Sequence, residues 1–123
     1  MHCIILFSQT VVSRHSDARL VLLGSSRNSE DDKLVSKLKS LAVECDVVNN
    51  VDFVVNAPYS VLQTHLSEAS IGLHTMWNEH FGISVVEMMA AGLIVIAHRS
   101  GGPLMDIVVN CAGKPTGTAL YVM

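Results

Sequence analysis

Short apolar runs separated by segments of helical length govern what this chain can fold into. Arg19–Gly24, Val51–Val55, Ser70–His74 and Leu93–Ala97 are each too short for a helix and rich in branched aliphatic residues, as strands of a parallel sheet are. The first of them, Leu-Val-Leu-Leu closed by Gly24, reads as a strand buried on both faces. Between the runs the apolar period changes to that of a helix. Ser29 is the expected N-cap, Glu30, Asp31 and Asp32 follow where the helix dipole favours negative charge, and Leu34, Val35, Leu38, Leu41 and Ala42 then recur on one face. Pro58 opens a second helix with Val61, Leu62, His65 and Leu66 as its stripe, and a third runs from about Gly82 to Ala91 before Gly92 stops it. Ser100–Pro103 reads as a turn, Leu104–Val109 as a short helix and Thr118–Val122 as a last strand. The fold class is therefore α/β, a Rossmann-like parallel sheet with flanking helices, its right-handed crossovers stacking the strands into one sheet. Gly24-Ser25-Ser26 lacks the GxGxxG spacing of a phosphate loop and reads as a βα turn that borders the cleft.

With 123 residues, half of them hydrophobic and 15% charged, the chain suits a single domain with a substantial core and not a disordered segment. The net charge of −3 has no Lys/Arg cluster to set against it, which excludes nucleic acid as a partner. Mean hydropathy is positive, +0.42. Yet the most apolar stretch, Val85–Ala97, is interrupted by Glu87 and Gly92 and falls short of the about 20 residues a membrane span needs. No basic n-region precedes Cys3–Phe7, so no targeting signal is read. Cys3, Cys45 and Cys111 are widely spaced without a CxxC pair, which fits neither a disulfide framework nor a zinc site. Residues 3–13 read as helix where an opening strand is expected, and the last strand is followed by no helix. The pattern is that of one incomplete part of a larger α/β protein.

The segment with the most chemistry is Asn78-Glu-His-Phe-Gly-Ile-Ser-Val-Val-Glu-Met-Met-Ala-Ala-Gly92. Gly82 leaves room for close approach to the backbone, and the N–H groups of Ile83 to Val85 at the helix start form an anion site suited to a diphosphate. Glu79 lies before that start and Glu87 one turn inside it. Were the whole span helical, the two would stand about 12 Å apart, flanking the diphosphate with carboxylates that accept from diols. Two glutamates at this spacing equally fit a Glu79 that favours the dipole and a solvated Glu87. The glycine turn after Phe81, and a second at Gly101-Gly102 behind the next strand, mark the place where open α/β sheets gather ligands. His74, His80 and His98 have no metal-ligand spacing; His74 at a strand end and His98 after a strand are placed to line the cleft, against the commoner packing or solvent roles assigned to them. Asp106 reads as a helix-start charge, Met88, Met89 and Met105 as core filling, and Trp77-Asn78 as either a pocket wall or a surface anchor.

Glu79-x7-Glu87, within Glu-His-Phe-Gly-Ile-Ser-Val-Val-Glu and followed by Ser100-Gly-Gly-Pro103, resembles the retaining GT-B glycosyltransferases that use nucleotide-sugar donors. Ile71–Ile83 and Ala97–Val109 are more narrowly similar to the GDP-mannose-dependent members that act on dolichol-linked oligosaccharide. The resemblance implies that residues 1–123 form the incomplete C-terminal, donor-binding half of a GT-B fold. It implies Glu79 as the catalytic residue facing the mannose hydroxyls, Glu87 on the ribose, the backbone of Phe81, Gly82, Ile83 and Ser84 on the diphosphate, and Gly101 and Gly102 beside the substrate. No metal and no cofactor besides the GDP-mannose donor is implied. The acceptor is a dolichol diphosphate oligosaccharide at the cytosolic face of the endoplasmic reticulum membrane, with membrane contact made only by parts outside this chain. The family's Arg and Lys that stabilise the leaving diphosphate have no counterpart here, and one such donor is commonly worth about 3–4 kcal/mol, so the chain alone is expected to be inactive. Two alternatives stay open: a non-catalytic truncated product, and a GT-B enzyme with a UDP-sugar donor.

Overall fold

The computed structural model describes residues 7–108 in full and, after them, the backbone of the strand residues 110–111, 114–115 and 119–122. The chain falls into two compact units, Met1–Leu62 and Gln63–Met123.

In the first unit a π-helical turn, Phe7–Val12, precedes strand β1 (Leu20–Gly24), helix α1 (Ser29–Glu44) and strand β2 (Val51–Val55). The helix expected over residues 3–13 is thus a single wide turn where it is described, its first four residues lying outside the described part. β1 and β2 pair in parallel, Leu20 opposite Val51 through Gly24 opposite Val55. Arg19, just before β1, donates to both carboxylate oxygens of Asp52 at 2.6 and 2.7 Å, an exposed pair of the kind that contributes little to stability. Phe7, Leu20, Ala42, Val47 and Val51 are buried together, with Leu22, Leu38, Leu41 and Phe53 packed against them.

Three sequence readings change here. Val21 and Leu23 are each 37% exposed, so β1 is covered on one face only; a continuous apolar run does not distinguish a strand covered twice from one covered once. Leu34 is exposed at the outer edge of the α1 stripe. The N-cap is Asn28, not Ser29: its Oδ1 accepts from the N–H groups of Glu30 and Asp31, each at 2.9 Å. Adjacent Asn and Ser are both good caps, and Asn28 takes the role because its extended backbone (φ −157°, ψ 173°) aims the short side chain at the first turn. Asn28→Ala is expected to cost about 1 kcal/mol, read as a lower melting temperature, while Ser29→Ala changes it much less. The Gly24-Ser25-Ser26 turn is structural as expected: the Ser26 N–H is taken by Asn56 Oδ1 at 2.8 Å.

Helix α2 (Tyr59–Glu68) starts one residue after Pro58 and leads into β3 (Ile71–His74), α3 (Ile83–Ala90) and β4 (Ile94–His98). A second π-helical turn, Pro103–Ile107, follows where an ordinary helix over 104–109 was expected, Val109 lying outside the described residues. The two-residue strands β5 (Asn110–Cys111) and β6 (Lys114–Pro115) pair antiparallel, and β7 (Ala119–Val122) is the expected last strand, without Thr118, which lies outside the described residues. β3, β4 and β7 form a parallel sheet with β4 central, Ile71 opposite Ile94 and Val95 opposite Ala119. The parallel strands and flanking helices are as the alternation predicts. Each unit pairs its own strands over its own apolar cluster. In this unit Val85, Leu93, Val95 and Ala97 are buried, with Leu66, Met88, Met89 and Ile107 against them. Gly72 is required by that packing, since a Cβ there falls on Met88 Sδ. Met105, expected in the core, is 71% exposed. Among the described residues no helix is long and apolar enough to cross a membrane.

Candidate functional site

Two loops of the second unit, at the C-terminal ends of β3 and β4, meet. The first runs from Thr75 to Gly82 and turns through Asn78, whose φ is +54°; Asn is among the few side chains that tolerate this left-handed backbone. Its N–H donates to Ser100 Oγ at 2.7 Å, and the same hydroxyl is hydrogen-bonded to His98 Nδ1 at 2.9 Å. The second contact is backbone to backbone, Gly102 N–H to the Glu79 carbonyl at 2.8 Å. Such an approach is open only to glycine. A Cβ on Gly101 falls on the Glu79 carbonyl oxygen, and one on Gly102 lies 2.6 Å from Phe81 Cα and 2.7 Å from the His80 carbonyl oxygen. Gly101 also has φ +56°. The glycine pair therefore closes one loop on the other.

Between the loops lies a cavity of about 170 Å³ lined by Asn78, Glu79, His80, Gly101, Gly102, Met105 and Asp106. It is open to solvent and smaller than the roughly 300–1,000 Å³ of pockets that enclose a whole drug-sized ligand. Neither Lys nor Arg is among its lining residues, and two carboxylates are, a surface that suits hydroxyl donors and repels phosphate. Glu79 is its best-held polar group. Its side chain is 24% exposed, and Oε2 stands 3.5 Å from Nε2 of His74, itself 11% exposed at the end of β3. His74 Nδ1 is buried without a partner, a condition that costs on the order of 1–3 kcal/mol.

The structure thus brings Glu79, Gly101 and Gly102 together on one cavity. Phe81, Gly82, Ile83, Ser84 and Glu87 belong to the start of α3 and do not line it. Gly82 is the N-cap of α3 with φ +91°, the turn its identity implied. Phe81 and Ile83 are exposed, and Glu87 is half-buried one turn into the helix. The anion site is narrower than expected, because the Val85 N–H is donated to the Gly82 carbonyl at 2.9 Å, while Ile83 and Ser84 make no such backbone bond among the described residues. Helix α3 covers only residues 83–87 of the Glu79–Glu87 span, so the separation for a continuous helix does not apply. Asn78, read from the sequence as either a pocket wall or a surface anchor, lines the cavity, and His74 was assigned to packing or solvent. Ser100, Met105 and Asp106 were not chosen as site residues, and Ser100 before the glycine pair carried a signal only as a cap-forming residue type. No group of three or more His, Cys, Asp or Glu among the described residues is placed to hold a metal ion.

The chain belongs to a family of glycosyltransferases: it matches the one described as glycosyl transferases group 1 over residues 3–119. Among its relatives, the GDP-Man:Man(3)GlcNAc(2)-PP-Dol alpha-1,2-mannosyltransferase of Xenopus laevis is 51% identical over 112 residues, covering 91% of this chain and 23% of that protein. The protein of the same name from Homo sapiens is 50% identical over the same shares, and that of Neurospora crassa 50% identical over 82% of this chain and 18% of its own length. The chain therefore spans about a fifth of the length of these relatives. No solved structure matches it significantly.

Proposed function

We propose that this chain supplies the donor-binding residues of a GDP-mannose-dependent α-1,2-mannosyltransferase whose acceptor is a dolichol diphosphate-linked oligosaccharide, at the cytosolic face of the endoplasmic reticulum membrane. The observation that carries the proposal is the Glu79 carboxylate, held by His74 beside a small cavity that takes hydroxyl groups and disfavours phosphate. In this proposal mannose occupies the cavity with its hydroxyls on Glu79 and its far side against Gly101 and Gly102. The diphosphate lies outside, on the N–H groups of Ile83 and Ser84 at the dipole end of α3, and Glu87 takes the ribose hydroxyls. Phe81 and Gly82 contribute backbone next to the diphosphate, and no metal takes part. The names of the relatives support the donor and acceptor, and the half-site geometry supports the division of roles. The N-terminal GT-B half and the cationic loop belong to other parts of the enzyme, so the chain by itself binds donor and does not transfer it.

Calorimetric titration of the purified chain with GDP-mannose and with UDP-glucose tests this. GDP-mannose is expected to bind more tightly, with the same heat in the presence of EDTA, and incubation with donor and a dolichol-linked acceptor to give no mannose transfer above a Glu79→Ala control. Tighter binding of UDP-glucose contradicts the donor assignment, heat that disappears with EDTA contradicts metal independence, and transfer by the chain alone contradicts the division of roles.

A further inference from the structure

We infer that His74 is a positioning residue, whose Nε2–H orients the Glu79 carboxylate toward the sugar. The inference rests on the donor-binding function proposed above. Glu79 sits in an irregular loop, whereas His74 is fixed at the end of β3, opposite Ala97 of β4 in the parallel register. Nε2 faces Glu79 Oε2 at 3.5 Å. A lone pair on that nitrogen would repel the carboxylate, so a proton resides there. Nδ1 is the one buried side-chain polar atom among the described residues that lacks a partner. A histidine retained for stability would have that nitrogen satisfied. His74 shares its strand face with Gly72, the face on which Met88 of α3 packs, a place where an aliphatic side chain meets every packing need. What an aliphatic residue lacks is a donor for Glu79. With Oε2 turned to the ring, the other carboxylate oxygen is left for a sugar hydroxyl.

Three measurements on the full chain separate positioning from packing. Ring nitrogen NMR of the wild type is expected to show His74 as the Nε2–H tautomer. His74→Leu is expected to melt at or above the wild-type temperature, because the unmet nitrogen is gone. Its affinity for GDP-mannose relative to GDP is nevertheless expected to fall about 3- to 10-fold, the scale of one lost hydrogen bond. His74→Gln, with an amide N–H at similar reach to Nε2, is expected to restore most of that ratio. An Nδ1–H tautomer, or a His74→Leu chain with the wild-type ratio of GDP-mannose to GDP affinity, overturns the inference alone. Wild type that binds GDP-mannose no more tightly than GDP overturns the donor-binding function beneath it.

Discussion

Gly102→Ala is expected to open the donor cavity and destabilise the second unit, although alanine is the smallest possible change and the backbone is unstrained. Gly102 has φ −55°, so the whole effect is steric. The added Cβ stands 2.6 Å from Phe81 Cα and 2.7 Å from the His80 carbonyl oxygen, and backbone atoms cannot swing aside as a flexible side-chain tip does. Relief requires the Thr75–Gly82 loop to move away, which breaks the 2.8 Å bond from Gly102 N–H to the Glu79 carbonyl and carries the carboxylate with it. Overpacking of this kind typically costs about 1–3 kcal/mol, and each kcal/mol lowers the melting temperature of a small domain by roughly 4–8 °C. Gly101→Ala is expected to do at least as much, adding a left-handed φ of +56° to an overlap with the Glu79 carbonyl oxygen. Gly24→Ala is the control. Its Cβ meets nothing within 4 Å, and melting is expected to stay within about 0.5 kcal/mol of wild type. Thermal unfolding of the three variants checks the contrast, and equal melting temperatures for Gly24→Ala and Gly102→Ala contradict it.

Glu79→Gln is the second large effect, and it falls on ligand selectivity. The amide keeps the shape of the side chain and loses the charge. Hydrogen bonds to a charged acceptor are worth about 1.5–3 kcal/mol, roughly 10- to 150-fold in affinity. GDP-mannose binding is therefore expected to drop to the level of GDP, while GDP binding itself is unchanged. Glu87→Gln is expected to weaken GDP and GDP-mannose by the same factor, since it acts on the ribose both ligands share. Parallel titrations of the two variants with both ligands distinguish these patterns. A Glu79→Gln chain that still prefers GDP-mannose over GDP moves the sugar away from this carboxylate.

The strands were legible because short apolar runs bounded by turn residues have few other uses; β2 lies where Val51–Val55 predicts, β3 starts one residue later than expected and β4 is shifted by one residue. Gly82 was legible for a similar reason, since a glycine after Phe81 at a helix start implies the left-handed turn it adopts. Coverage of a face was not. Nothing in the sequence of β1 says that Val21 and Leu23 lie on its open side, and Leu34 fits the helical stripe as well as Leu38 does. The site was half legible. Glu79, Gly101 and Gly102 stand out by residue type, but their joining depends on Asn78 and Ser100, a hydrogen bond across 22 residues that no local pattern encodes. His74 was assigned to packing or solvent because its spacing to the other histidines marks no site. Its role follows only from the distance to Glu79 and from the unmet nitrogen on the other side of the ring. Met105 has the composition of a core residue, and its place on the cavity rim follows from the π-helical turn that carries it.

The central claim, a sugar on Glu79 with its diphosphate on the start of α3, is tested most directly by a crystal structure of the chain with GDP-mannose. The predicted result is mannose in the cavity between Glu79 and Gly101-Gly102, a hydroxyl within hydrogen-bonding distance of the Glu79 carboxylate, and diphosphate oxygens on the N–H groups of Ile83 and Ser84. A diphosphate inside the cavity, or a mannose that makes no contact with Glu79, contradicts it.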